Sequence, residues 1–291
     1  SLYNRTAMAQ TFLWWANPAF AVNDHTQSIF PPDVHAVMDH GKRDVSRFPI
    51  ATGTYYKHDY SAGVDISWYK NIPVPTSYMA EKSAFDFVGG YDYKVGAGLL
   101  HIADHHVSPG KKQWTWGCGE FGKAWDRNLT DSDGPYIELM TGMYTDNQPD
   151  FSWLKPMEEK TFTQYFMPYK TVGQVKNATV HACLNMEKRD GSIYISAYTT
   201  EKYEDAVIEL TYAGNSIFSR SIKISPTEPF EEAVSCDASA DETLFHVKLV
   251  HDGDILVEYS PLKKEVPVMP KPAEAAAEPD KIMTNEELYL T

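Results

Sequence analysis

The chain has 291 residues, with 40 acidic and 26 basic side chains and a net charge of −14. At roughly 100–200 residues per domain, this length indicates about two domains. The acidic balance argues against a nucleic-acid partner, because proteins that track phosphates carry a basic stripe. No apolar run approaches the ~20 residues of a membrane helix, so we expect no membrane span. Three scattered cysteines exclude a disulfide scaffold or a cysteine-rich metal site.

The first half of the chain predicts a β-rich domain with irregular connections. Its strand-like segments are separated by turns rich in Pro and Gly. There is no long helical periodicity and no Gly-rich loop opening a helix, so a Rossmann or P-loop nucleotide domain is not expected. The predicted strands cover residues 11–16, 28–30, 64–69, 85–89, 98–103, 112–117, 136–141 and 161–168.

The second half predicts an immunoglobulin-like β-sandwich. Seven short alternating runs follow one another within about 85 residues, and hairpin turns such as Asp190-Gly191 and Asp252-Gly253 separate them. This half lacks the Cys…Trp…Cys spacing of antibody domains and shows no catalytic constellation. The predicted strands cover residues 178–184, 192–198, 207–212, 217–224, 230–234, 244–250 and 255–259.

Both ends of the chain indicate a piece of a longer protein. The first residues show no basic or apolar region of a signal peptide and look like the middle of a strand pattern. Residues 261–279 are rich in Pro, Ala and Glu, which predicts an extended linker. Thr284 and Glu287 form a Thr-x-x-Glu capping box, which predicts the start of a helical region. The sequence does not indicate a compartment.

The unusual chemistry is concentrated in the first half. All seven tryptophans and seven of the ten histidines precede residue 154. Up to Lys170 the net charge is −4, and beyond it the net charge is −10. Indole rings interleaved with polar side chains are typical of a sugar site, because a pyranose offers an apolar face and a hydroxyl edge. The substrate-binding candidates are His101, Asp104, Lys111, Trp114, Trp116, Trp125 and Arg127.

Glu138 is the sharpest catalytic candidate. It lies inside an apolar strand, where Tyr136, Glu138 and Met140 share one face by alternation. A carboxylate on a strand inside a cleft is partly desolvated, which suits general acid or base chemistry. The alternative is a solvent-facing glutamate on a two-sided sheet. Trp114 and Trp116 likewise form either a stacking platform or part of a core.

A histidine-rich segment follows the predicted strand at residues 98–103. His101, Asp104, His105 and His106 suggest a metal site, but the segment resembles a strand running into a loop rather than a metal-binding helix. We therefore expect no metal and no cofactor. These histidines are interpreted as donors to sugar hydroxyls, as general acids, or as packed structural residues.

The residues from 134 to 169 resemble the galactose mutarotase-like supersandwich. There, a catalytic glutamate near a strand end is followed by a Leu-x-Pro-Gly-Glu turn, which corresponds here to Leu154-Lys155-Pro156-Met157-Glu158. Met157 stands where that family usually has Gly. The resemblance implies that Glu138 takes the anomeric hydroxyl proton while a histidine protonates the ring oxygen. No motif decides among His101, His105 and His106.

Residues 12–17, 30–35, 109–117, 125–130 and 134–149 also resemble an uncharacterised bacterial family. That family joins such a supersandwich, which begins upstream of Ser1, to tetratricopeptide repeats downstream. The resemblance implies a mainly β chain in three parts: the C-terminal part of a supersandwich over 1–172, an immunoglobulin-like β-sandwich over 173–262, and a Pro/Ala-rich linker with the start of a helical, tetratricopeptide-like region over 263–291.

Two functions follow from the sequence. The first is the carbohydrate-binding domain of a carbohydrate-active enzyme, with Glu138, His105, His106 and Asp146 as catalytic candidates. A glycoside hydrolase needs a second carboxyl group, about 5–5.5 Å or 6.5–9.5 Å away, whereas an aldose epimerase needs a histidine opposite the glutamate. The alternative is a non-catalytic sugar-binding or scaffold module, with protein partners through the downstream repeats.

Overall fold

The chain is mainly β, as the sequence predicts. The computed structural model describes residues 1–145, 150–263, 268–274 and 277–285. Within these residues the strands form two large sheets in the first half and two in the second, with every described strand pairing antiparallel. No helix in the described part of the chain is both long and apolar enough to span a bilayer.

The first half, up to Lys170, contains a seven-stranded sheet and a four-stranded sheet, called sheets 1 and 2. Sheet 1 has the order Trp15–Ala16, Tyr136–Gly142, Gly110–Thr115, Thr76–Ala80, Ala36–Met38 and Val45–Arg47, with Ala19–Ala21 also paired to Tyr136–Gly142. Sheet 2 has the order Tyr165–Lys170, Ala97–Ile102, Phe87–Asp92 and Thr26–Ile29.

Short two-stranded ribbons, one α-helix and one 3₁₀ turn complete the described elements of the first half. The ribbons pair Leu2–Tyr3 with Glu159–Lys160, Gln10–Phe12 with Ser152–Leu154, Ile50–Ala51 with Val64–Asp65, and Thr54–Tyr55 with His58–Asp59. The helix is Glu120–Leu129 and the 3₁₀ turn is Tyr69–Asn71.

Sheets 1 and 2 pack face to face around an apolar core. Alternation along each strand sends every second side chain into this layer, as in the fully buried Ile137 and Leu139. They join a cluster that includes Phe30, Tyr78 and Val88. The alternate residues of sheet 1 therefore lie on its outer side.

The second half is a β-sandwich of two four-stranded sheets. Sheet 3 has the order Asn177–Ala178, Ala182–Arg189, Ser192–Thr199 and Phe230–Ser235, and sheet 4 has the order Asn215–Ile224, Tyr203–Tyr212, Phe245–His251 and Asp254–Tyr259. The 3₁₀ turn Glu242–Leu244 precedes Phe245–His251, and Pro279–Lys281 forms another near the chain end.

Hairpin turns set the strand register in this sandwich. Asp190 and Gly191 both have positive φ, 48° and 73°, and so do Asp252 and Gly253, at 50° and 89°. Two successive residues with positive φ give a tight hairpin turn whose twist matches the right-handed twist of the flanking strands. The predicted strand at 178–184 instead divides into Asn177–Ala178 and Ala182–Arg189.

The two halves share a buried apolar cluster. Tyr91 and Tyr169 of sheet 2 pack in the same cluster as Val172, Cys183 and Tyr198. The last strand of sheet 2 is thus attached to sheet 3 by side-chain packing as well as by the chain.

The helix Glu120–Leu129 is absent from the predicted elements. Gly122 obscures it in the sequence, because glycine disfavours a helix interior. In the structure a Cβ on Gly122 would lie 2.1 Å from the carbonyl oxygen of Gly117, so only glycine allows the helix to approach the preceding loop. The helix carries Trp125 to the outer side of sheet 1.

Gly98 provides a test of the packing of sheet 2. A Cβ there would lie 2.3 Å from the carbonyl oxygen of Gly90 and 2.6 Å from the Tyr169 ring. We expect Gly98→Ala to lower the free energy of unfolding by about 1–3 kcal/mol, as overpacking does. Gly53→Ala is the matched control, because nothing lies within 4 Å of its Cβ position. Equal urea midpoints for the two variants would contradict the packing described.

Candidate functional site

The outer side of sheet 1 brings together aromatic rings and charged groups. We call it the tryptophan face and define it by Lys112, Trp114, Trp116, Trp125, Tyr136 and Glu138. Apart from Trp125, these residues come from the neighbouring strands Gly110–Thr115 and Tyr136–Gly142 or directly follow the first of them. Their shared side follows from antiparallel register, since directly opposed residues point to the same face.

Glu138 is directly opposite Trp114 across the strand pair. Its side chain is half-buried, and on its other flank the strand pairs with Ala19. The Asn17 side-chain amide donates a hydrogen bond to Glu138 Oε2 at 2.9 Å. One carboxylate oxygen is thereby oriented by the segment that borders the face.

The three tryptophans of the face form a continuous aromatic surface. The rings of Trp116 and Trp125 stack with centroids 5.0 Å apart and an interplanar angle of 13°. Trp114 meets Trp116 edge-on at 5.5 Å, and Trp116 Nε1 donates to the Tyr136 hydroxyl at 3.4 Å. Trp125 remains 40% exposed, so the surface is open to a ligand at its helix side.

Two basic groups on this face have strongly lowered pKa values. Burial lowers the pKa of Lys112 to about 8, against the opposing attraction of the Glu138 carboxylate. The pKa of His40 is lowered to about 4, mainly because the ring is buried and secondly because the Lys112 ammonium repels its charged form. His40 lies edge-on to Trp114 with ring centroids 6.0 Å apart, and Lys112 Nζ lies 5.6 Å from the Trp15 ring centroid. His40 is therefore neutral at pH 7.

Sequence reasoning missed His40, Trp15 and Asn17. Each lies in a connection or a short strand, and none belongs to the predicted face. They are identified only by the order of strands in sheet 1. In that order, Trp15–Ala16 and Ala36–Met38 lie on opposite sides of the pair formed by Gly110–Thr115 and Tyr136–Gly142.

Lys111 lies on the opposite, inner side of sheet 1, and His101 faces it from the strand Ala97–Ile102 of sheet 2. Lys111 is buried and its Nζ has no hydrogen-bond partner among the described residues. His101 is also buried, and its Nδ1–H donates to the carbonyl oxygen of Leu139 at 3.0 Å. Its Nε2 accepts from the Gln164 amide at 3.0 Å. Burial lowers the pKa of His101 to about 4, so it acts as a neutral link between sheets.

Asp104, His105 and His106 lie in the connection between the strands Ala97–Ile102 and Gly110–Thr115. The Ser108 hydroxyl, near them in the chain, donates to the carbonyl oxygen of Gly142. Gly142 is four residues from Glu138, which is roughly 13 Å along a strand. The structure does not bring these three residues onto the tryptophan face.

Arg127, another predicted substrate-binding residue, lies on the helix Glu120–Leu129. Arg127 is exposed and lines a cavity of about 190 Å³ together with Asp126. The Asp126 carboxylate is buried without a hydrogen-bond partner among the described residues, and burial raises its pKa. Asp146 lies outside the described residues.

Known proteins resemble both halves of the chain. Residues 1–173 match the family described as Domain of unknown function (DUF5107), and the chain belongs to that family. Residues 177–259 match the second domain of YphG-like proteins. The solved structure of a TPR-domain containing protein from Parabacteroides distasonis is 27% identical, covering 57% of this chain and 26% of that one, with a TM-score of 0.46. The present chain thus spans about a quarter of that protein.

Lys111 provides a test of the inner side of sheet 1. Burial lowers its pKa to about 8, so between pH 8 and its unfolded pKa the unfolded state binds the proton and the folded state does not. Stability from this group therefore rises with pH across that window. We expect Lys111→Met to raise the free energy of unfolding at pH 7 by on the order of 3 kcal/mol, and by less at pH 10.5, when unfolding is measured in urea.

The matched control is Lys82→Met, which removes an exposed lysine. It should change stability little at either pH. A smaller gain in the free energy of unfolding at pH 7 than at pH 10.5, each measured against the parent chain, would contradict a buried ammonium with no hydrogen-bond partner among the described residues.

Proposed function

We propose that this protein binds carbohydrate on the tryptophan face and that Glu138 acts there as a general base in mutarotase-type chemistry. The observation that carries the proposal is the direct pairing of Trp114 with Glu138, beside the stacked rings of Trp116 and Trp125. Indole rings pack on the apolar face of a pyranose, and a carboxylate accepts hydrogen bonds from its hydroxyls.

The electrostatics of the face support acid–base chemistry. Lys112 and His40 both have lowered pKa values, and perturbed groups beside a carboxylate are typical of active sites. Glu138 offers a carboxylate oxygen that can accept a proton from an anomeric hydroxyl.

The sequence resemblance to galactose mutarotase-like domains suggests the reaction, in which a glutamate takes the anomeric hydroxyl proton. That chemistry needs a histidine near the sugar ring oxygen, and His40 is the histidine that lies against Trp114. Because His40 is neutral at pH 7, its role is to donate an N–H hydrogen bond to the ring oxygen, as neutral imidazoles do in other active sites. His40 takes the place of the three histidines considered from the sequence.

A non-catalytic sugar-binding module is the second candidate. It is favoured by the Asn17 amide, which already donates to Glu138 Oε2 and so occupies one of the oxygens that a base would use. Binding and turnover must therefore be measured separately.

For binding, we expect Trp116→Ala to weaken the protein's affinity for an oligosaccharide at least tenfold, because one ring of the stack is lost. The ligand is first selected on a glycan array with the full chain, and its affinity is then measured by intrinsic fluorescence titration. The matched control is Trp153→Ala, which removes a tryptophan that is 56% exposed on another ribbon. Equal losses in both variants, or no loss in Trp116→Ala, would contradict the proposed binding surface.

For turnover, we expect Glu138→Gln to slow mutarotation, followed by polarimetry, by about 10²–10⁴-fold while sugar affinity changes little. Glu81→Gln, at an exposed position, is the control. Wild-type protein that binds sugar but accelerates no mutarotation and cleaves no chromogenic glycoside would favour the binding module. Turnover that survives Glu138→Gln would contradict the catalytic role.

A further inference from the structure

Three side chains with metal-binding atoms converge at the turn after the strand Ala97–Ile102. Asp104, His105 and His106 each offer one ligand atom, and these atoms all lie within 4.8 Å of one another. The turn itself is fixed, because the carbonyl oxygen of Asp104 accepts the backbone N–H groups of Val107 and Ser108 at 3.0 and 2.7 Å. The cluster therefore sits on a defined backbone rather than on an extended loop.

A residue from another segment orients the first histidine. Asp86 Oδ1 accepts both the backbone N–H of His105, at 2.8 Å, and its ring Nδ1–H, at 2.7 Å. The proton is thus held on Nδ1, and the lone pair of Nε2 remains available. Histidine ligands of metals characteristically donate their other ring N–H to a carboxylate in this way.

The second histidine, His106, lies beside Asp104, the third side chain of the cluster. His106 Nδ1 lies 3.0 Å from Asp104 Oδ1, and its ring centroid is 3.9 Å from that of His105. Two ligands that bind one metal at about 2.1 Å lie roughly 3.0–3.4 Å apart. The Asp104–His106 separation is therefore that of neighbouring ligands on one ion, with the metal replacing the shared proton.

The surroundings suit a cation. Asp86 and Asp104 both line a cavity of about 410 Å³ at the junction of the two halves, where Thr179 and Val180 of the second half form part of the wall. The His106 and Asp104 side chains are 78% and 62% exposed, so water can reach the open coordination positions. Imidazole nitrogen with carboxylate oxygen is a donor set that suits zinc and similar transition metals, whereas calcium and magnesium prefer oxygen alone.

From this geometry we propose that His105, His106 and Asp104 bind a divalent transition-metal ion of the zinc class, with Asp86 as the residue that positions His105. This site is separate from the tryptophan face and differs from the sequence expectation that no metal is bound. It stands independently of the proposed sugar binding.

The test measures Zn²⁺ binding to the full chain by isothermal titration calorimetry, and Co²⁺ binding by its visible absorption. We expect one ion per chain. His106→Ala should weaken binding at least tenfold, and it is a safe first variant because the side chain is 78% exposed. His105→Ala should have a similar effect, and Asp86→Asn a smaller one, since it loosens the ring without removing a ligand.

The matched control is His25→Ala, which removes an exposed histidine elsewhere. It should bind both ions as the parent chain does, and every variant is first checked for an unchanged circular dichroism spectrum. Absence of Zn²⁺ uptake by the parent chain, or equal affinity in His106→Ala and the parent chain, would overturn the proposal. So would loss of the Co²⁺ spectrum in the control variant alone.

Discussion

The antiparallel pairing of Gly110–Thr115 with Tyr136–Gly142 is the constraint on which the site depends. Its register sets Trp114 opposite Glu138 and Gln113 opposite Leu139. A shift by one residue would move every side chain of one strand to the other side of the sheet. The same pairing thus defines both the core between sheets 1 and 2 and the aromatic surface outside it.

This constraint also separates two kinds of polar group. On the inner side, His101 and Gln113 bond to neighbouring elements and connect the two sheets: His101 to Leu139, and Gln113 to Ser28. On the outer side, burial lowers the pKa values of Lys112 and His40, and the Glu138 carboxylate attracts the Lys112 ammonium. The inner groups hold sheets 1 and 2 together, and the outer groups surround the surface on which we propose that sugar binds.

Much of this arrangement could be predicted from residue patterns. Alternation around Glu138 identified its face together with Tyr136, and the Asp-Gly turns identified the hairpins of the second half. These signals are local, because side-chain direction in a strand follows a period of two. The sequence could also show that tryptophans are concentrated in the first half.

The rest depended on contacts between distant segments. The strand Thr76–Ala80 was not predicted, because it follows a Pro-rich connection and begins with polar residues. Lys111 was expected to meet substrate, yet it shares its inner side with Gln113 by the same alternation that exposes Trp114. Asn17 bonds to Glu138 and His40 lies against Trp114, and no local pattern brings either pair together.

The most direct test of the account is ¹⁹F NMR of the full chain labelled with 5-fluorotryptophan. Signals are assigned by single Trp→Phe substitutions, and the sugar selected on the glycan array is then titrated. We expect the resonances of Trp114, Trp116 and Trp125 to shift with one common affinity while those of Trp68 and Trp153 stay in place. Shifts confined to Trp68 or Trp153, or no shift at saturating sugar, would contradict a sugar site on the outer side of sheet 1.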